Sequence, residues 1–154
     1  MTNLETNLLR RGSMSLYDDE ELLGDVAQRL ISSGYESFVL DLADCRSVAA
    51  FHERAAAALR FPAYYGHNMD AFGDSLLEME LGDSRKGVVV LTGISGFARL
   101  FPEQFQIVLR DFAKAARLYL ITGTRLVIVI GTDDKFLQVP EVGCYSITRN
   151  LRAG

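Results

Sequence analysis

Between residues 70 and 83 the chain carries five acids, Asp70, Asp74, Glu78, Glu80 and Asp83, and no base. Asp70, Asp74 and Glu78 recur every four residues, which puts three carboxylates on one face of a helix. Carboxylates fixed in this way could grip a basic surface or work as an acid/base pair. Met69, Phe72, Leu76 and Met79 fall on the opposite face, so the pattern also fits a plain amphipathic helix with a solvated side. Upstream, Tyr64 and Tyr65 supply aromatic rings, and Gly66 permits a tight turn at positive φ. His67 could make a pH-sensitive contact, and Asn68 is a good N-cap. Gly73, about 1 kcal/mol worse than alanine in a helix, leaves a bare strip of backbone where a partner could approach. Aromatic rings beside carboxylates are what protein interfaces favour.

Other residues could also do chemistry. Asp41, Asp44, Asp133 and Asp134 are expected near the C-terminal ends of strands, where α/β proteins bind ligands or Mg²⁺. Acids there equally cap helices and line loops. An acid/base role for Asp70 and Asp74 needs a cleft that a convex helix face does not provide. His52 reads as a surface residue of an alanine-rich helix. There is no phosphate-binding glycine loop and no nucleophile elbow. No catalytic residue, metal ligand or cofactor is therefore expected. Cys45 and Cys144 lack metal or redox spacing, which fits reduced thiols in the cytoplasm.

The elements that must hold these residues follow from caps, breakers and periodicity. Residues 1–17 read as a loose polar arm. Asp18 or Asp19 caps a helix bearing Leu22, Val26 and Leu30, and Gly34 stops it. Phe38–Leu42 reads as a strand. Ser47 caps a helix running to about Leu59 with Val48, Phe51, Ala55 and Leu59 inward. Pro62 prevents that helix from continuing. The acidic helix starts at Asn68 and fades near Leu81–Gly82. Val88–Leu91 and Arg125–Ile130 are apolar runs of the kind found in strands covered on both faces. Between them lie a helical turn at Ser95–Phe101 and a longer helix opened by Pro102, with Phe105, Val108, Leu109, Phe112, Ala116 and Tyr119 inward. A short strand is expected at Tyr145–Thr148. Strands alternating with helices imply a parallel sheet.

At 154 residues and a net charge of -4 the chain fits one domain, 1–154. Clusters of Lys and Arg are missing, which argues against direct nucleic-acid binding. The apolar runs fall far short of the ~20 residues of a membrane span, and no secretory signal is expected after Arg10 and Arg11.

The segment Leu59–Leu77, with Pro62, Tyr64, Tyr65, Gly66, Asn68, Asp70, Ala71 and Asp74, resembles the barstar family of intracellular ribonuclease inhibitors. The order of elements from Phe38 to Ile130 is similar as well. The resemblance implies an α/β fold with a small three-stranded parallel sheet flanked by helices. Its core spans about 37–131, with 1–34 an N-terminal extension containing an extra helix and 132–154 a C-terminal tail. It implies a bacterial immunity protein or antitoxin, monomeric and not an enzyme. The partner would be a basic protein, a secreted or toxin ribonuclease. Asp70 and Asp74 would pair with basic groups in the nuclease cleft, in the place of substrate phosphates. Tyr64 would belong to the docking surface, and Asn68 would cap the helix. The expected contact set is Tyr64, Tyr65, Gly66, His67, Asn68, Asp70, Gly73, Asp74 and Glu78. Four positions depart from the family pattern. Gly73 replaces a bulky aromatic, Ser75 a cysteine and His67 an acid. Lys114 stands where the family has an acid, with Asp111 a turn earlier. These departures leave open an interaction module whose partner is not a ribonuclease.

Overall fold

Valine, isoleucine and leucine dominate two seven-residue stretches, Lys86–Thr92 and Arg125–Gly131, and both lie at the middle of one parallel sheet. The structure, a computed structural model, describes residues 3–10, 13–133 and 148–150. Its elements are α1 (Asn3–Arg10), β1 (Met14–Tyr17), α2 (Glu20–Ser32), β2 (Glu36–Asp41), α3 (Val48–Ala58), α4 (Met69–Leu76), β3 (Lys86–Thr92), α5 (Ile94–Leu100), α6 (Pro102–Ile121), β4 (Arg125–Gly131) and β5 (Thr148–Asn150). The strands pair in the order β2-β3-β4-β1-β5, all parallel. Val89 lies between Phe38 and Ile128, and Ile128 in turn pairs with Met14.

Both faces of the sheet are covered, which explains the unbroken apolar runs of β3 and β4. Phe38, Leu40, Val89, Leu91, Leu126, Ile128 and Ile130 pack beneath α3 to α6 in the larger core. Val88, Val127 and Val129 face the other way, against Leu8 of α1 and Leu23, Val26 and Leu30 of α2. Asp19 caps α2 by accepting from the amides of Glu21 and Leu22, and Gly34 follows the helix at φ 97°.

Two expectations fail at the N-terminus. Among the described residues the sheet has four strands of four or more residues plus the three-residue β5, where three strands were expected. Residues 3–10 and 14–17 form α1 and β1, where a loose arm was expected. All four residues of β1 are buried, and the strand covers the edge of β4. In α1 the nearly inaccessible Glu5 carboxylate lies 3.7 Å from Lys86 Nζ and 3.6 Å from the Arg125 guanidinium. That charge cluster ties α1 to the first residues of β3 and β4. Burial, followed by the charge of Glu5, pushes the nearby Tyr35 phenol up to about 12. In the tail, β5 begins at Thr148, where the expected strand was to end. Residues 145–147 lie outside the described residues, as do Asp134 and Cys144.

Candidate functional site

The turn that feeds α4 is built from the inside out. Leu59 closes α3 against the core, and the Phe61 amide donates to Ala56 O. The Tyr65 amide then donates to Pro62 O, which makes the chain turn. Tyr65 is buried, at 6% exposure, with its ring 4.9 Å from both Phe61 and His67. Its phenol shares a 2.5 Å hydrogen bond with His52 Nδ1. Neither Tyr65 nor His52 is the surface residue expected from the sequence; His52 is only 2% exposed. A tyrosine that spans a turn needs a polar partner for its hydroxyl, and the preceding helix supplies one. Tyr64, next along the chain, is 80% exposed and is the aromatic ring offered to solvent.

At the end of this turn the left-handed residue is His67 at φ 53°, where Gly66 was expected to supply it. Gly66 is a close-approach position instead. A Cβ there would stand 3.3 Å from Asn68 Nδ2 and 3.4 Å from Ala71 Cβ. Asn68 caps α4 as expected, accepting from the Ala71 amide at 2.8 Å. Phe72 and Leu76 are fully buried. Phe72 meets the rings of Phe51, Phe61 and Phe112 at 5.3, 6.1 and 5.5 Å. With that side anchored, Asp70 and Asp74 are held on the solvent side.

The helix is shorter than its pattern implies. It ends at Leu76, because the Tyr119 hydroxyl donates to Leu76 O and accepts from the Met79 amide at 3.0 Å. Glu78 therefore lies in the turn after α4 and not on its face with Asp70 and Asp74, although it is exposed close by. Met79 is buried through the turn rather than through a helical stripe.

Gly73 is not bare. Asp111 of α6 covers it, and a Cβ at residue 73 would stand 3.2 Å from Asp111 Oδ2. The missing side chain opens a groove of about 260 Å³ between α4 and α6, lined by Asp70, Gly73 and Asp74 on one side and Arg110, Asp111 and Lys114 on the other. Burial raises the Asp111 carboxyl, and Asp70 and Asp74 push it the same way, while Arg110 and Lys114 oppose the shift. Asp111 thus joins the two expected aspartates as a third acid. Sequence reasoning placed it outside the contact set, since only the packing of α6 on α4 brings it to Gly73. The available signals were the glycine inside α4 and the place of Asp111 one turn before Lys114.

At the strand ends, Asp41 accepts from the Ala43 amide at 3.0 Å and Asp133 accepts from Ser95 Oγ at 2.7 Å. These acids shape loops. Among the described residues no three His, Cys, Asp or Glu side chains gather to hold a metal ion, and no helix is long and apolar enough to cross a membrane.

A family model described as Barstar (barnase inhibitor) matches residues 35–131, from the residue before β2 to the last residue of β4. The chain belongs to the barstar family. That is a family of protein inhibitors that bind ribonucleases, not a family of enzymes. A search of the curated proteins finds no match. The barstar match excludes α1, β1, α2 and β5, so the cover of the second sheet face and of the β4 edge lies outside it.

The buried His52 makes a prediction about pH. Burial lowers its affinity for a proton, and a charged His67 lowers it further. The unfolded chain takes up a proton near pH 6.5 while the folded chain still resists. The unfolded state then holds more protons, so this contribution to stability is complete above about pH 6.5 and is lost as pH falls below it. Urea unfolding at pH 7.5 and pH 5 is expected to show a larger acid loss for the native chain than for His52→Gln. Equal losses would remove His52 as the cause.

Proposed function

We propose that this protein is an inhibitor of a basic ribonuclease, acting as an immunity protein or antitoxin in the bacterial cytoplasm. In this reading α4 enters the nuclease cleft, with Asp70 and Asp74 facing the basic groups that hold substrate phosphates. Tyr64 packs on the rim of that cleft. Gly66, His67 and Asn68 lie at the start of the contact and Glu78 at its end. Gly73 and Asp111 form its floor, and Tyr65 positions the loop from beneath. The chain acts as one domain over residues 1–154, as a monomer and without a cofactor.

The observation that carries this reading is the anchoring of α4. Phe72 and Leu76 are fully buried while Asp70 and Asp74 stay exposed one turn apart. Preset charge of this kind draws in a cationic surface and speeds association in a salt-dependent way. The experiment is capture from a lysate of the source cells at low salt, followed by assay of the captured protein on RNA. A ribonuclease that falls silent at a one-to-one ratio supports the reading. A captured protein that leaves RNA intact rejects it and favours the second reading, an interaction module with another partner. Gly73 and Lys114 favour that alternative, since one removes aromatic contact area and the other puts a positive charge in the groove.

Gly73→Ala should separate fold from binding. Alanine is the better helix former by up to about 1 kcal/mol, and the half-buried Asp111 carboxylate above it, which lines the open groove, must yield by a few tenths of an ångström. Stability is expected to rise by less than 1 kcal/mol while affinity falls, because the methyl narrows the groove. Urea unfolding and titration against the captured partner read the two effects. Affinity unchanged at higher stability would exclude the groove from the contact.

A further inference from the structure

The groove between α4 and α6 carries opposite charges on its two walls. Asp70 and Asp74 stand four residues apart on α4, and Arg110 and Lys114 stand four residues apart on α6. Each pair spans one turn, about 6 Å along its helix. All four are exposed, and among the described residues no ion pair joins one wall to the other. Asp111 occupies the floor between them, under the influence of both sets. The walls thus face one cleft without neutralising each other.

We propose that this groove selects a polypeptide partner that presents a basic and an acidic side chain side by side. The basic one lies along the Asp70/Asp74 wall and the acidic one along Arg110/Lys114. The inference rests on α4 being the contact face, as above, and adds what the partner must carry. A purely cationic segment would meet the like charges of Arg110 and Lys114 at close range. A purely acidic segment would meet three aspartates. A mixed pair satisfies both walls, and the groove of about 260 Å³ between them is open to receive it. The acid-rich run from Asp70 to Asp83 still attracts a partner of net positive charge. Lys114 then sets specificity, by rejecting partners with only basic groups at this point.

The test uses the full chain, labelled with ¹⁵N, and three capped tripeptides as probes: Arg-Gly-Glu, Arg-Gly-Arg and Glu-Gly-Glu. Amide shifts at Gly73 and Asp111 report occupancy even for weak ligands. Arg-Gly-Glu is expected to bind about three-fold tighter than Arg-Gly-Arg, the range of an exposed charge pair, with Glu-Gly-Glu weakest. Lys114→Glu, an exchange at an exposed position, should reverse the first two. Equal or better binding of Arg-Gly-Arg by the native chain overturns the proposal. So does an order that Lys114→Glu leaves alone, or the absence of shifts at the groove with every peptide. A partner without ribonuclease activity would sink the inhibitor reading yet leave the peptide order intact, so the two failures are distinguishable.

Discussion

If the proposed function holds, replacing Asp70 and Asp74 together by asparagine is expected to weaken binding of the captured partner by about 10³-fold or more, from at least about 2 kcal/mol for each carboxylate whose buried cationic partner is left unpaired. Asparagine keeps the size of each side chain, so the result reads charge rather than shape. The fold should scarcely notice. Both residues are exposed, and neither makes an ion pair among the described residues. Asp70 lies in the first turn of α4, where a negative charge helps the helix by no more than about 1 kcal/mol. Asp74 lies toward the other end, where the helix gains from losing it. The two effects oppose each other, so the thermal midpoint should hardly move. Titrations of enzyme activity at low and high salt give the affinities. The native chain should lose affinity steeply as salt rises, and the double variant should show a shallower slope. Unchanged affinity, or a midpoint drop large enough to explain the loss, would end the account of α4 as a charged plug.

The order of elements from Phe38 to Ile130 was legible because each signal there is local. Ser47 and Asn68 cap their helices, Pro102 opens α6, and the valine and isoleucine runs belong to strands buried on both faces. What could not be read depends on distant partners. Met-Ser-Leu-Tyr at 14–17 is too short to show a period, and it becomes β1 only because β4, more than a hundred residues later, presents a free edge. Glu5 belongs to the stretch that reads as a loose polar arm, yet it is buried between cations at the first residues of β3 and β4.

The candidate site divides the same way. Asp70, Asp74 and Asn68 could be placed from spacing alone. The end of α4 could not, since a hydroxyl from Tyr119, 43 residues away, terminates it and leaves Glu78 off the stripe. Tyr64 and Tyr65 are identical by type, and it is tertiary contact, with Phe61, His67 and the His52 nitrogen, that takes Tyr65 inward. Asp111 and Gly73 become a pair only through the packing of α6.

Truncation of Phe72 to alanine is expected to cost about 3–5 kcal/mol, the range for a fully buried phenylalanine. Against a total of about 5–15 kcal/mol, that is a large share. The ring touches three others, on α3, on α6 and in the turn before α4, so the cavity left behind has walls on separate elements that cannot all close in. The consequence for function is local. An eight-residue helix has almost no stability of its own in water, and α4 keeps its shape through Phe72, Leu76, the Asn68 cap and the Tyr119 hydroxyl. Without the phenyl ring, α4 should open far more often than the sheet does. Amide exchange from Ala71 to Leu76 is expected to accelerate much more than exchange from Val127 to Ile130. Affinity for the proposed partner should fall as well, though no charge has changed, because the aspartates must then be ordered at the moment of binding. Phe72→Leu should recover most of both losses. If Phe72→Ala destabilises by less than about 1.5 kcal/mol, or if α4 and β4 lose protection together, the helix is not the separately pinned element that this site requires.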